Sequence, residues 1–165
     1  FNMEEEKQEI IEMFGVHFEK LFNIPPLAAR ILGTLIIEGC KSGLTFDDLV
    51  EKMHASKSSI STNLNLLQKM EKINYFTVVG DRKKYFKAAP LSERLNNYLD
   101  LVNSEKVLID RIISYRERNN TCSQEEINLQ NSYAYKEHML NAEKLLTNTI
   151  NKFKEIEIKN QSNKH

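Results

Sequence analysis

Between Ala55 and Lys72 the chain reads ASKSSISTNLNLLQKMEK, and five short hydrogen-bonding residues, Ser58, Ser59, Ser61, Thr62 and Asn63, fall within six positions. Such residues lower helix propensity because their side chains compete for backbone groups. An ordinary surface helix favours Glu, Lys, Gln and Ala instead. Yet Ile60, Leu64, Leu67 and Met70 recur at helical spacing, and Ser56 precedes them as an N-cap. The pattern predicts a helix with an apolar back and a short polar front that also carries Lys57, Asn65 and Lys69. Short side chains let a helix approach a rod-shaped partner closely, and the major groove of DNA admits one helix. Ser59, Ser61, Thr62 and Asn63 can bond phosphates or base edges, and among these types only Asn pairs a donor with an acceptor as adenine requires. No Arg lies on this helix, so bidentate guanine readout is missing and DNA shape must contribute. The phosphate partners expected are Lys57, Lys69, Arg82, Lys83 and Lys84, which add affinity without reading sequence.

Charge distribution agrees with that chemistry. Across 165 residues, 23 basic side chains balance 23 acidic ones. Residues 52–89, however, hold eight basic and two acidic side chains, a net of +6, which leaves −6 for the rest. A local basic block over a reading helix is an electrostatic footprint for nucleic acid.

Other chemistries find no constellation. The four histidines show no ligand spacing with Cys, Asp or Glu, so no metal is expected. No nucleophile–base pair or phosphate loop occurs, so neither catalysis nor a cofactor is expected. Cys40 and Cys122 have no framework spacing and read as structural thiols of a reducing compartment. No apolar run reaches bilayer length, and the start is acidic rather than signal-like, so a cytoplasmic protein is expected. Phe14, Phe18, Tyr98, Tyr115, Tyr133 and Tyr135 could line a cation-binding pocket, but aromatics at helical spacing more often form plain core.

The elements that must position the front follow from periodicity. Residues 4–22 form a helix with a wide apolar stripe. Pro26 opens a second helix that runs to about Glu38, and 41–44 is a turn. Thr45 and Asp48 form a capping box for a short helix, and His54-Ala55 connects it to the reading helix. Asn74–Val79 and Lys84–Ala88 read as two strands around the turn 80–83, a wing with a basic tip. A long helix spans 91–118, with Leu95, Tyr98, Leu99, Val102, Leu108, Ile109 and Ile112 inward. A last helix spans 124–156, with Ile127, Leu129, Tyr133, Met139, Leu145, Leu146, Ile150 and Phe153 inward. The fold class expected is mainly α with a small β-hairpin wing: a winged helix-turn-helix with N- and C-terminal dimerisation helices. Its divisions are 1–22 for dimerisation, 23–90 for the DNA-binding winged helix, 91–158 for dimerisation, and 159–165 as a disordered tail.

PPLAARILGTLII (Pro25–Ile37), LTFDDLVEKMHASKSSISTNLNLLQKM (Leu44–Met70) and GDRKKYFKA (Gly80–Ala88) together resemble the MarR superfamily of winged-helix regulators, and within it the GbsR-like branch. The resemblance implies a dimeric transcriptional regulator, usually a repressor, that binds double-stranded DNA at a pseudo-palindromic operator. It places Ser56, Lys57, Ser58, Ser59, Ser61 and Thr62 where the family contacts DNA. It places Asp81 on the wing acid that orients a basic neighbour. The chain departs from the pattern two residues after that acid, where Lys83 stands in place of the usual Arg and Arg82 is the nearest substitute. The branch implies a small-molecule effector of the quaternary ammonium class, with no residues assigned to it. The alternative carried beside this reading is a winged-helix protein-interaction module, in which the same helix meets a protein and the wing is a charged rim.

Overall fold

The computed structural model describes residues 2–163. Its contacts divide the chain into two units, one ending at Ala89 and the other starting at Pro90. The first contains α1 (Met3–Phe22), α2 (Pro26–Ile37), β1 (Leu44–Thr45), α3 (Phe46–Met53), α4 (Lys57–Lys69), β2 (Ile73–Thr77) and β3 (Lys84–Ala88). The second contains α5 (Leu91–Arg118) and α6 (Ser123–Ser162).

α2 is the hub of the first unit. Ala28, Ala29, Ile31, Leu32 and Leu35 are all buried, and they meet Phe18 of α1, Leu49 of α3, and Ile60, Leu64 and Leu67 of α4. The expected division at residue 22 is therefore corrected: α1 belongs with the winged helix. Gly33 explains the close approach, because a Cβ there would lie 3.0 Å from the Phe14 Cβ and 3.3 Å from the Ile11 carbonyl oxygen. Arg30 of α2 clamps the same pair by bonding Glu12 at 2.5 Å and Glu19 at 3.3 Å. Met13, Val16 and Leu21 remain exposed on α1.

The wing is part of a three-stranded antiparallel sheet of order β1-β3-β2, not a hairpin alone. Leu44 opposes Phe86, and Thr45 opposes Tyr85. The expected turn 41–44 thus ends inside a strand. A two-residue strand carries no alternation to read, and it exists because β3 offers a free edge. β2 pairs with β3 from Ile73↔Ala88 to Thr77↔Lys84, so Asn74–Val79 is shortened to end at Thr77.

α5 and α6 form an antiparallel hairpin. Polar rungs run from Ser92–Glu157 through Lys106–Glu143 and Asp110–Lys136 to Arg116–Glu125. Ile109, Ile113 and Leu129 form its buried cluster, and Met139 and Ile150 are also buried. Three expected inward residues of α5 are exposed instead: Tyr98, Leu108 and Ile112 at 41%, 61% and 41%. The reason is that α5 carries two apolar seams side by side. Leu95, Leu99, Val102, Ile109 and Ile113 follow one, and Tyr98, Leu101, Leu108, Ile112 and Tyr115 follow the other. Only the first is buried or half-buried. On α6, Ile127, Tyr133 and Leu145 are likewise exposed. α6 also continues past the expected end at Ile156 to Ser162, because Glu155, Glu157, Lys159 and Gln161 are good helix formers. The tail expected over 159–165 is corrected as far as Ser162, and 164–165 lie outside the described residues.

Candidate nucleic-acid interface

Local chemistry sets the helix-turn-helix geometry. Thr45 and Asp48 complete the predicted capping box: the Thr45 hydroxyl accepts from the Asp48 N–H at 3.1 Å, and the Thr45 N–H donates to the Asp48 carboxylate at 2.9 Å. That backbone N–H, with the Thr45 hydroxyl, holds the Asp48 pKa below its ordinary value against the opposing effect of desolvation. α3 ends at His54, whose φ of +50° reverses the chain. Ser56 then caps α4 by accepting from the Ser59 N–H at 3.2 Å.

With Ile60, Leu64 and Leu67 in the core, the opposite face of α4 presents Lys57, Ser58, Ser61, Thr62, Asn65 and Lys69 to solvent. Not all the predicted front is free to bond. The Ser56 hydroxyl donates to that of Ser59 at 2.9 Å and lies 3.2 Å from that of Ser58. Thr62 donates its hydroxyl proton to the Ser58 carbonyl at 2.9 Å, which leaves oxygen lone pairs and a methyl outward. Ser61 and Asn65 make no side-chain hydrogen bond among the described residues and keep full capacity.

Asn63 is a correction. It is only 9% exposed, and its amide donates to the Ser59 carbonyl at 2.7 Å. Position 63 stands three residues after Ile60 and four before Leu67, so it lies on the buried side of the helix. Asn65 is the carboxamide on the exposed face.

The wing turn is closed by the Asp81 N–H donating to the Val78 carbonyl at 3.0 Å, with Gly80 at φ +84°. Glycine suits that position because a type II turn demands positive φ there. The Asp81 carboxylate accepts from the Tyr85 hydroxyl at 2.5 Å and from the Lys83 backbone N–H at 2.9 Å. These donors, Tyr85 first, hold its pKa below the usual carboxylate value and raise that of Tyr85. Asp81 therefore shapes the backbone of the wing. Its contact with the basic neighbour Lys83 is through the backbone N–H, and it makes no ion pair with Arg82 or Lys83 among the described residues.

The basic block divides into two sets. Lys52 pairs with Glu38 at 3.2 Å, Lys72 lies 4.0 Å from the Phe22 ring centre, and Lys87 lies 5.3 Å from that of Phe76. Lys57, Lys69, Arg82, Lys83 and Lys84 form no ion pair among the described residues. Arg82, Lys83 and Lys84 meet Ser61, Asn65 and Gln68 of α4 around a cleft of about 370 Å³, floored by Leu64 and Phe86. Thr45, Phe46 and Asp47 close its third side. Sequence reasoning missed Asp47, Gln68 and Tyr75. The signal for Tyr75 was strand alternation, which puts it on the face of Ile73, toward α4.

Phe14 and Phe18 stack at 5.4 Å, and Phe18 is buried in the core of the first unit. Tyr133 and Tyr135 donate their hydroxyls to Glu117 and Glu105 of α5. No group of three or more His, Cys, Asp or Glu among the described residues could hold a metal ion, and no described helix is long and apolar enough to cross a membrane.

No family model matches the chain. Over 83 residues it is 34% identical to the HTH-type transcriptional regulator MmpR5 of Mycobacterium tuberculosis, a match that covers 50% of this chain and 48% of that protein. The chain thus spans about half the length of the curated relative it matches. A crystal structure of a transcriptional regulator superposes with a TM-score of 0.58 at 22% identity, covering 91% of this chain and 99% of the other. The crystal structure of MepR, a regulator of the Staphylococcus aureus multidrug efflux pump MepA, gives a TM-score of 0.41 at 16% identity, covering 81% and 91%. The chain carries the winged-helix fold found in such regulators.

Proposed function

We propose that this protein is a sequence-specific DNA-binding transcriptional regulator of the MarR type that acts as a homodimer, with repression as its mode. One observation carries the reading. Ser61 and Asn65 of the exposed polar front of α4 line a single cleft with the wing cations Arg82, Lys83 and Lys84. α4 enters the major groove, where Ser61, Thr62 and Asn65 reach base edges. Ser56, Lys57, Ser58, Ser59 and Lys69 serve the flanking phosphates. The wing, shaped by Asp81, carries Arg82, Lys83 and Lys84 toward the adjacent minor groove. A cytoplasmic site of action fits this role.

The homodimer is supported by the second seam of α5. Leu101, Leu108 and Tyr115 are 58%, 61% and 60% exposed and follow heptad spacing with Tyr98 and Ile112. An apolar helix face about 25 Å long suits burial against another helix, and a second copy supplies the same face by symmetry. The two reading helices then address half-sites about one DNA turn apart, ~34 Å, on a pseudo-palindrome. A quaternary ammonium effector and membership of the GbsR-like branch complete the reading.

Selection of bound duplexes from a random pool tests it. An enriched inverted repeat is the expected result, and an unenriched pool bound without salt dependence is the opposite one. A second reading, docking to a protein, is favoured by the apolar tip of the wing, where Val78 and Val79 are 48% and 104% exposed. That reading predicts affinity for a protein partner that is lost in Val79→Ser and indifferent to competing DNA.

A further inference from the structure

Tyr75 lies outside every role assigned above. It stands in β2 opposite Phe86, on the sheet face that also carries the buried Ile73. Its ring leans on Phe86, with centroids 6.1 Å apart at 57°, which fixes the ring plane from below. Its other side is open, since the residue is 49% exposed. Over that ring sits the Lys84 ammonium, 4.4 Å from the centroid. Lys84 lines the cleft beside α4, and Tyr75 shares a neighbouring depression with Gln68 of α4. The Tyr75 hydroxyl has no hydrogen-bond partner among the described residues.

We propose that Tyr75 and Lys84 form a phosphate clamp at the root of the wing. The ring holds the ammonium on the α4 side, and the free hydroxyl donates to the same phosphodiester oxygen. A lysine stem carries about 2 kcal/mol of rotamer entropy, part of which must be lost when its ammonium settles on one phosphate. A ring that already holds the ammonium removes part of that cost, which is preorganisation. The aromatic quadrupole attracts the cation without neutralising it, so the charge remains available to the phosphate. Lys87 over Phe76 does not duplicate this arrangement, because Phe76 has no hydroxyl and strand alternation puts the pair on the opposite sheet face. The clamp rests on the reading that DNA lies along α4 and the wing, and within it Tyr75 both positions Lys84 and touches the phosphate.

The test is a double-mutant cycle on the full chain, read by anisotropy of a labelled mixed-sequence duplex of about 30 base pairs, long enough for two half-sites, from about 50 to 200 mM salt. Four backgrounds are compared: Tyr75→Phe and Tyr75→Leu, each with Lys84 or Lys84→Ala. Going from Phe to Leu is expected to weaken binding about two- to fivefold when Lys84 is present, and not at all when it is absent. Lys84→Ala alone is expected to lower the slope of log K against log salt by about 0.9 for each phosphate lost. Equal losses from Phe to Leu in both backgrounds would overturn the clamp while leaving DNA binding intact. A wild-type chain that shows no salt-dependent duplex binding would overturn the underlying reading and the clamp together. If Tyr75→Leu fails to fold, Lys84→Arg decides. Arg also stacks on the ring and bonds phosphate, so unweakened binding is expected, and a loss as large as that of Lys84→Ala would overturn the proposal.

Discussion

Removing the two wing-tip cations, in the double variant Arg82→Ala with Lys83→Ala, should change the salt dependence of DNA binding by an amount the structure sets. Five basic side chains per protomer on α4 and the wing, Lys57, Lys69, Arg82, Lys83 and Lys84, form no ion pair among the described residues, so a dimer offers about ten to phosphates. Each phosphate neutralised contributes about −0.9 to the slope of log K against log salt, so the ceiling for the wild type is a slope near −9. The double variant removes about four of those charges, and its ceiling falls to about −5. Between about 50 and 200 mM salt the wild type would then lose about 10⁵-fold in affinity and the variant about 10³-fold. The assay is anisotropy of one labelled duplex titrated at several salt concentrations. Arg82 and Lys83 are exposed and bear no partner, so the folded state should change by less than about 0.5 kcal/mol, which thermal unfolding checks. An unchanged slope in a folded variant would remove the wing from the interface.

Three further perturbations probe the helix, the second seam and the cap. Ser61→Glu places a carboxylate at the centre of the α4 front, and should abolish duplex binding while light scattering still reports the wild-type oligomer; retained binding would place DNA elsewhere. Leu108→Glu with Ile112→Glu charges the exposed seam of α5 and should yield monomers that unfold normally; a dimer unaffected by both charges would show that this seam is not the interface. Asp48→Ala breaks the α3 capping box at a cost of about 1 kcal/mol. The native Asp48 pKa is depressed, so the difference between wild type and variant should be full above the ordinary aspartate value and close as pH falls through the lower folded value. A gap that persisted in strong acid would exclude the carboxylate as its source.

The parts of the site written in local chemistry were legible in the sequence. Ser56 as cap, the Thr45–Asp48 box, and the core face of Ile60, Leu64 and Leu67 all stand where short-range pattern puts them. Asn63 was misread because residue type was given more weight than position; helical spacing alone puts it beside Leu64 and Leu67. β1 was invisible, since two residues hold no period and the strand depends on an edge contributed from 40 residues away. The inward face of α5 was ambiguous for a different reason. Two heptad seams lie side by side, and only the partner helix decides which is covered. The fate of each cation was also hidden, because Lys52 and Lys57 look alike in sequence until Glu38 is seen to take one of them.

The most direct test of the central claim is methylation interference on a duplex enriched by the full chain. Methyl groups at guanine N7 obstruct the major groove, and those at adenine N3 obstruct the minor groove. If α4 reads the major groove and the wing the minor groove, N7 methylation should block binding in two patches about one turn apart, with N3 interference flanking them. Tight binding that tolerates N7 methylation at every position would contradict the account.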